Sequence, residues 1–152
     1  MKKDFTRDYI TEAFRLYAKL GSPTYEQARQ KIYEDELSKV SSFVPPDEAI
    51  IYAERATEKQ TPYLLDIMAV DKTIELLEQG EKAHIIAAVK AVYFACPQQT
   101  IRKGDISERV RHYSIQCPTD ERTVYRWLKE ARLLCATVRG LRIADVDEKK
   151  FI

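Results

Sequence analysis

The chain has 152 residues, 45% hydrophobic and 32% charged, with only four Gly and six Pro, a mixture that supports a buried core and excludes intrinsic disorder. Its net charge of +1 conceals an asymmetry: residues 1–80 hold 11 Lys and Arg against 15 Asp and Glu, residues 81–143 hold 12 against 6, and residues 144–152 hold 2 against 3. An acidic half joined to a basic half suggests a polyanion-binding module carried by a module with another partner.

The longest apolar stretch, residues 83–96, is interrupted by His84 and Lys90 and is shorter than the roughly 20 residues a membrane-spanning helix requires. The basic start at Lys2 and Lys3 is not followed by the apolar run of a signal peptide. A cytoplasmic protein with no membrane partner is expected. Cys96, Cys117 and Cys135 are odd in number and lack Cys-x-x-Cys spacing, so they read as free thiols. His84 and His112 are far apart with no ligand cluster around either, so neither a metal nor a cofactor is expected. Without a Gly-rich phosphate loop, a nucleophile elbow or a distinctive carboxylate pair, the chain does not read as an enzyme.

Taken in order, Phe5, Tyr9, Ala13, Leu16, Tyr17 and Leu20 recur at helical spacing over residues 4–20, and Gly21 stops the helix. Ser22-Pro23 reads as a cap with Pro at the first helical position, opening a second helix through Tyr25, Ala28, Ile32, Tyr33, Leu37 and Val40 to about Ser41-Ser42. Pro45-Pro46-Asp47-Glu48 begins a short third helix with acidic residues against its dipole. Thr61-Pro62 caps a fourth, carrying Leu64, Leu65, Met68, Ile74 and Leu77 to Gly80. The tyrosines of this half suit half-buried helix packing or a docking surface.

Beyond Gly80, Ile85, Ile86, Ala88, Val89, Val92, Tyr93 and Ala95 mark a central core helix that Cys96-Pro97 should end. After a connector at residues 98–104, Asp105 caps a helix using Ile106, Val110 and Tyr113, and Cys117-Pro118 closes it. Thr119 caps the clearest helix of the chain, which Gly140 stops. No sustained period-two pattern is present, so the fold is expected to be all-α. Short β-rich pieces at Thr100-Ile101, Leu141-Arg142-Ile143 and Lys150-Phe151-Ile152 stand where a winged module would put its small sheet.

On the last helix a turn of roughly 100° per residue sets Val124, Leu128, Ala131 and Cys135 on one face, with Trp127, Leu134 and Val138 flanking it. Arg122, Arg126 and Lys129 fall opposite. With Thr123, Tyr125 and Arg132 they form the surface expected to read DNA: Arg can bind guanine bidentately, while Lys and Tyr reach phosphates or base edges. Arg102, Lys103, Arg109, Arg111 and Arg142 are the expected phosphate contacts, which position without specifying. A cationic stripe is often only a solvated face. Here it lies on the second of two helices joined by a Pro-containing turn, behind a third apolar helix, in the basic half.

The segment Thr119-Asp120-Glu121-Arg122-Thr123-Val124-Tyr125-Arg126-Trp127-Leu128-Lys129-Glu130-Ala131-Arg132 resembles the recognition helix in the promoter-reading region of bacterial sigma factors and small phage-encoded, sigma-like regulators. The resemblance covers about residues 81–143. It implies a helix-turn-helix and makes RNA polymerase a candidate partner. The segment joining the two helices, residues 113–119, reads as longer than that family's tight turn, and residues 1–80 lack its promoter-melting pattern.

The expected architecture is an acidic helical region at residues 1–80 and a three-helix, helix-turn-helix module at residues 81–152. The expected function is sequence-specific binding of double-stranded DNA in transcriptional regulation. A homodimer formed through the acidic half would suit it, because paired modules read paired half-sites. The alternatives are a helical protein-protein adaptor with a basic face and a phage DNA-packaging subunit.

Overall fold

A computed structural model describes residues 5–141, and all regular secondary structure among them is helical. The elements are α1 (Phe5–Lys19), α2 (Tyr25–Val40), α3 (Pro46–Lys59), α4 (Thr61–Gln79), α5 (Ala83–Val89), a π-helical turn (Lys90–Phe94) that continues it, α6 (Asp105–Gln116) and α7 (Glu121–Arg139). Thr100 and Ile101 are in an irregular connector and Leu141 follows α7 without regular structure; Arg142, Ile143 and residues 150–152 lie outside the described residues.

The start signals act one or two residues away from where the pattern suggested. Thr24, not Ser22, caps α2: its hydroxyl accepts from the Gln27 N–H, and the Gln27 side chain returns a bond to the Thr24 N–H. This reciprocal box satisfies two donors that a helix start leaves open. Thr61 is already the first residue of α4, and its hydroxyl donates back to the Glu58 carbonyl. Gly104, left-handed at φ +90°, precedes α6, so Asp105 is the first helical residue and its carboxylate accepts from the Arg102 N–H instead. Asp120, not Thr119, caps α7 by accepting from the Thr123 N–H at 2.7 Å. At α2 and α7 the side chain that reaches an open N–H three residues on is the cap, whereas α4 and α6 start without a side-chain cap bond at Gln60 and Gly104.

One core cluster runs through α1, Ala28 of α2, α4, α5 with its π turn, α6 and α7, and therefore continues across Gly80. Its largest fully buried side chains include Phe14, Ile10, Leu64, Ile67, Ile85 and Leu128, each contributing roughly 1.5–3 kcal/mol by burial. Helix α7 is central, packed against α1, α4, α5 and α6. It runs antiparallel to α4: Arg139 bonds Asp66 near the start of α4, Cys135 lies against Thr73, and Glu130 pairs with Lys82 just beyond the end of α4. Phe14 of α1 stacks on Tyr93 with ring centroids 5.4 Å apart.

Helices α2 and α3 form a hairpin inserted between α1 and α4. They pack chiefly on each other, and α2 also packs on α4. Its fully buried residues are small: Ala28, Ala49, Ala53 and Thr57.

Candidate nucleic-acid interface

The face of α7 that periodicity assigned to the core is completely enclosed: Val124, Leu128, Ala131 and Cys135 are each 0% exposed. Trp127, Leu134 and Val138 flank it half-buried, and Trp127 meets the His84 ring edge-on at 5.0 Å. Burial pushes the Cys135 thiol up to about 11, so it remains protonated and behaves as a small apolar group.

Opposite this anchor, Arg122, Tyr125, Arg126 and Lys129 are all exposed on the first half of α7. Among the described residues, none of the three cations is within ion-pair distance of a carboxylate. Asp120 lies close enough to Arg126 and Arg122 for their charges to lower its pKa, although the hydrogen bonds from Thr123 are the larger cause. Thr123 is half-buried, its N–H held by the cap.

The joining segment comprises only residues 117–120, because α6 continues through Gln116. The expectation of a long connection over residues 113–119 is thereby corrected. Cys117 N–H bonds the Tyr113 carbonyl at 2.8 Å and Thr119 N–H bonds the Ser114 carbonyl, so the turn folds back on the last turn of α6. The Tyr113 hydroxyl is desolvated and hydrogen-bonded to Cys117, both of which raise its pKa. Helix α6 packs on the π turn that continues α5 and on α7, to which this tight turn joins it.

The other cations divide into two groups. Arg102, Lys103 and Arg111 are exposed, the first two just before α6 and the third on its outer face beside His112 and Ile115. Arg109 and Arg132 are half-buried and turned toward the scaffold: Arg109 donates to the Val92 carbonyl at 2.8 Å and Arg132 to the Tyr93 hydroxyl at 2.7 Å. Arg142 lies outside the described residues. Between α6 and the end of the π turn is an open groove of about 820 Å³ bordered by Arg109, Arg111, His112 and Tyr113, with Ala91 and Ala95 from the opposite wall.

Sequence reading overlooked Arg15. It is buried on α1 and donates to four backbone carbonyls: Tyr93 and Ala95 through one terminal nitrogen, Cys96 and Gln99 through the other. A helix end leaves such carbonyls unsatisfied, and a guanidinium fork matches several at once. Burial and the nearby positive charge of Arg109 lower the Arg15 pKa from the usual arginine range. The available signal was an arginine among the apolar positions of an amphipathic helix. Comparison with protein-family models, with curated proteins and with solved structures finds no match for this chain.

Proposed function

We infer that this chain binds double-stranded DNA in a sequence-specific manner and acts as a transcriptional regulator, with α5, α6 and α7 as a helix-turn-helix module. The observation that carries the reading is the division of α7: four positions at 0% exposure on one side, and Arg122, Tyr125, Arg126 and Lys129 exposed on the other, with no carboxylate among the described residues paired to the cations. A rigidly anchored helix presenting cations near its N-terminus is what the major groove admits. The turn at residues 117–120 has the length common in helix-turn-helix motifs.

Arg126 is the leading candidate for reading guanine, with Arg122, Tyr125 and Lys129 beside it and Arg111, Arg102 and Lys103 as phosphate contacts. Arg109 and Arg132 serve chiefly to hold the module on the π turn, through their bonds to Val92 and Tyr93. The resemblance to sigma-like recognition helices supports the same assignment.

The test is a titration against random duplex DNA at several salt concentrations. A slope of about −0.9 per neutralised phosphate reports the number of cations engaged. Several contacts are expected, most of them lost when Arg122, Arg126 and Lys129 are neutralised together. Selection from a random duplex pool should then enrich one site. Failure to bind at low salt excludes the DNA reading, and binding with no enriched site reduces it to a general polyanion surface.

A further inference from the structure

We propose that the α2–α3 hairpin is a dimerisation arm that packs antiparallel, tip to base, on the same hairpin of a second copy to complete a four-helix bundle. The inference rests on the hairpin alone and goes beyond the DNA-binding reading.

Two helices form a single layer, and a layer with apolar residues on more than one face requires another layer to cover it. The outer part of this hairpin has that excess. Tyr33, Leu37, Val40 and Val44 are only partly buried, while Phe43 at the tip is 84% exposed and Ile50, Ile51 and Tyr52 on α3 are 43%, 49% and 47% exposed. Ile50 and Tyr52 flank the α2–α3 seam on opposite sides, since each lies roughly 60–100° from Ala49 by helical rotation.

The exposed area fits a second copy. With aromatic side chains burying about 150–250 Å² when covered, the residues one partner can reach from a single side of that seam, Phe43, Ile51 and either Ile50 or Tyr52, leave roughly 300 Å² of apolar surface. A standard interface buries about 800 Å² per partner, somewhat over half of it apolar. An identical hairpin supplies two helices of matching length, giving the four-helix arrangement in which such apolar positions are enclosed.

Charge sets the direction. Residues 33–52, the tip, carry five carboxylates and one lysine, whereas residues 25–32 and 53–59, the base, carry four cations and three carboxylates. Tip against tip would oppose two strongly acidic segments. Tip against base places the acidic turn at Asp47 and Glu48 beside a segment with Arg29, Lys31, Arg55 and Lys59. A twofold axis makes both such contacts at once, because an isologous interface uses the same patch on each subunit.

Sedimentation equilibrium of the full chain at micromolar concentration should give twice the 17.7 kDa of one chain. The double variant Phe43→Glu/Ile51→Glu should return the mass to that of one chain with unchanged helical circular dichroism. A single-chain mass for the wild type, or a dimer that survives both substitutions, would overturn the proposal. Glu48→Lys separates the packing directions: dissociation made at least tenfold easier fits tip to base, whereas a tighter dimer requires tip to tip and overturns the stated packing. None of these readouts uses DNA, so their outcome is independent of the function assigned to α7.

Discussion

The Arg15 side chain on α1 and the Tyr93 carbonyl in the π turn are 78 positions apart and joined by a buried hydrogen bond of 2.9 Å. The same guanidinium holds Ala95, Cys96 and Gln99, so a single residue of the acidic half caps the carbonyls at the end of the π turn that continues α5. Phe14 stacks on the ring of Tyr93 from the preceding position, and Arg132 of α7 donates to its hydroxyl. The support for α7 is therefore continuous with α1.

Replacing Arg15 should test this connection directly. Arg15→Leu strands several carbonyls and should destabilise the fold by about 3–5 kcal/mol, because each unsatisfied buried polar group costs roughly 1–3 kcal/mol. Arg15→Lys, whose compact ammonium cannot reach all four carbonyls, should recover only part of the loss. Urea unfolding of both variants measures the difference; a midpoint unchanged in Arg15→Leu would mean that water replaces the guanidinium.

The two sides of α7 should respond in opposite ways. Arg126→Ala should leave the melting temperature within error while weakening specific DNA binding by about 1–3 kcal/mol at one base position. Arg132→Met should lower the melting temperature by loosening the contact with Tyr93. Equal loss of affinity on every sequence for Arg126→Ala would identify it as a phosphate contact.

Burial along α7 orders the effect of truncation. Leu128, fully enclosed, should lose about 3–5 kcal/mol on replacement by Ala. Trp127 is larger but half-buried against His84, so Trp127→Ala should lose less, about 2 kcal/mol, than the 3–5 kcal/mol of a fully buried aromatic. Denaturation that ranks Trp127→Ala above Leu128→Ala would contradict this packing.

Cys135 supplies a pH dependence. Its thiol is raised in the fold from an ordinary value of 9.0 to about 11. Above the ordinary value the unfolded chain releases this proton first, so the stability contributed by burying the neutral thiol is complete below pH 9 and is lost as pH rises toward 11. Urea midpoints measured across that window should fall more steeply in the wild type than in Cys135→Ala; parallel curves would show that Cys135 is not the titrating group.

Ion pairing at the far end of α7 offers a further check. Asp66 accepts from Arg139 at 2.7 Å and from the Tyr9 hydroxyl, linking α1, α4 and α7 with little exposure of either charge. Asp66→Ala leaves Arg139 without its partner and should destabilise by about 3 kcal/mol. A double-mutant cycle with Arg139→Met should recover much of that loss; strict additivity would indicate that the two residues do not interact.

By itself, the sequence determined the helical character of the chain, the approximate span of each helix and the buried face of α7. These follow from local periodicity, from Gly21 and Gly140 adopting positive φ at helix ends, and from proline in first turns. Val124, Leu128, Ala131 and Cys135 could be identified together because a helix has only one geometry and its apolar face must go inward. Only the three-dimensional structure showed which residue stands at each helix start, that α5 continues into a π turn, and which arginines remain exposed. Arg109, Arg111, Arg126 and Arg132 are chemically identical in a list of residues. They differ because Val92 and Tyr93 offer oxygen acceptors to Arg109 and Arg132, and those acceptors are brought into reach by packing of segments distant in sequence. Arg15 was hidden for the same reason, since the carbonyls it satisfies come within its reach only once α1 lies against the end of the π turn.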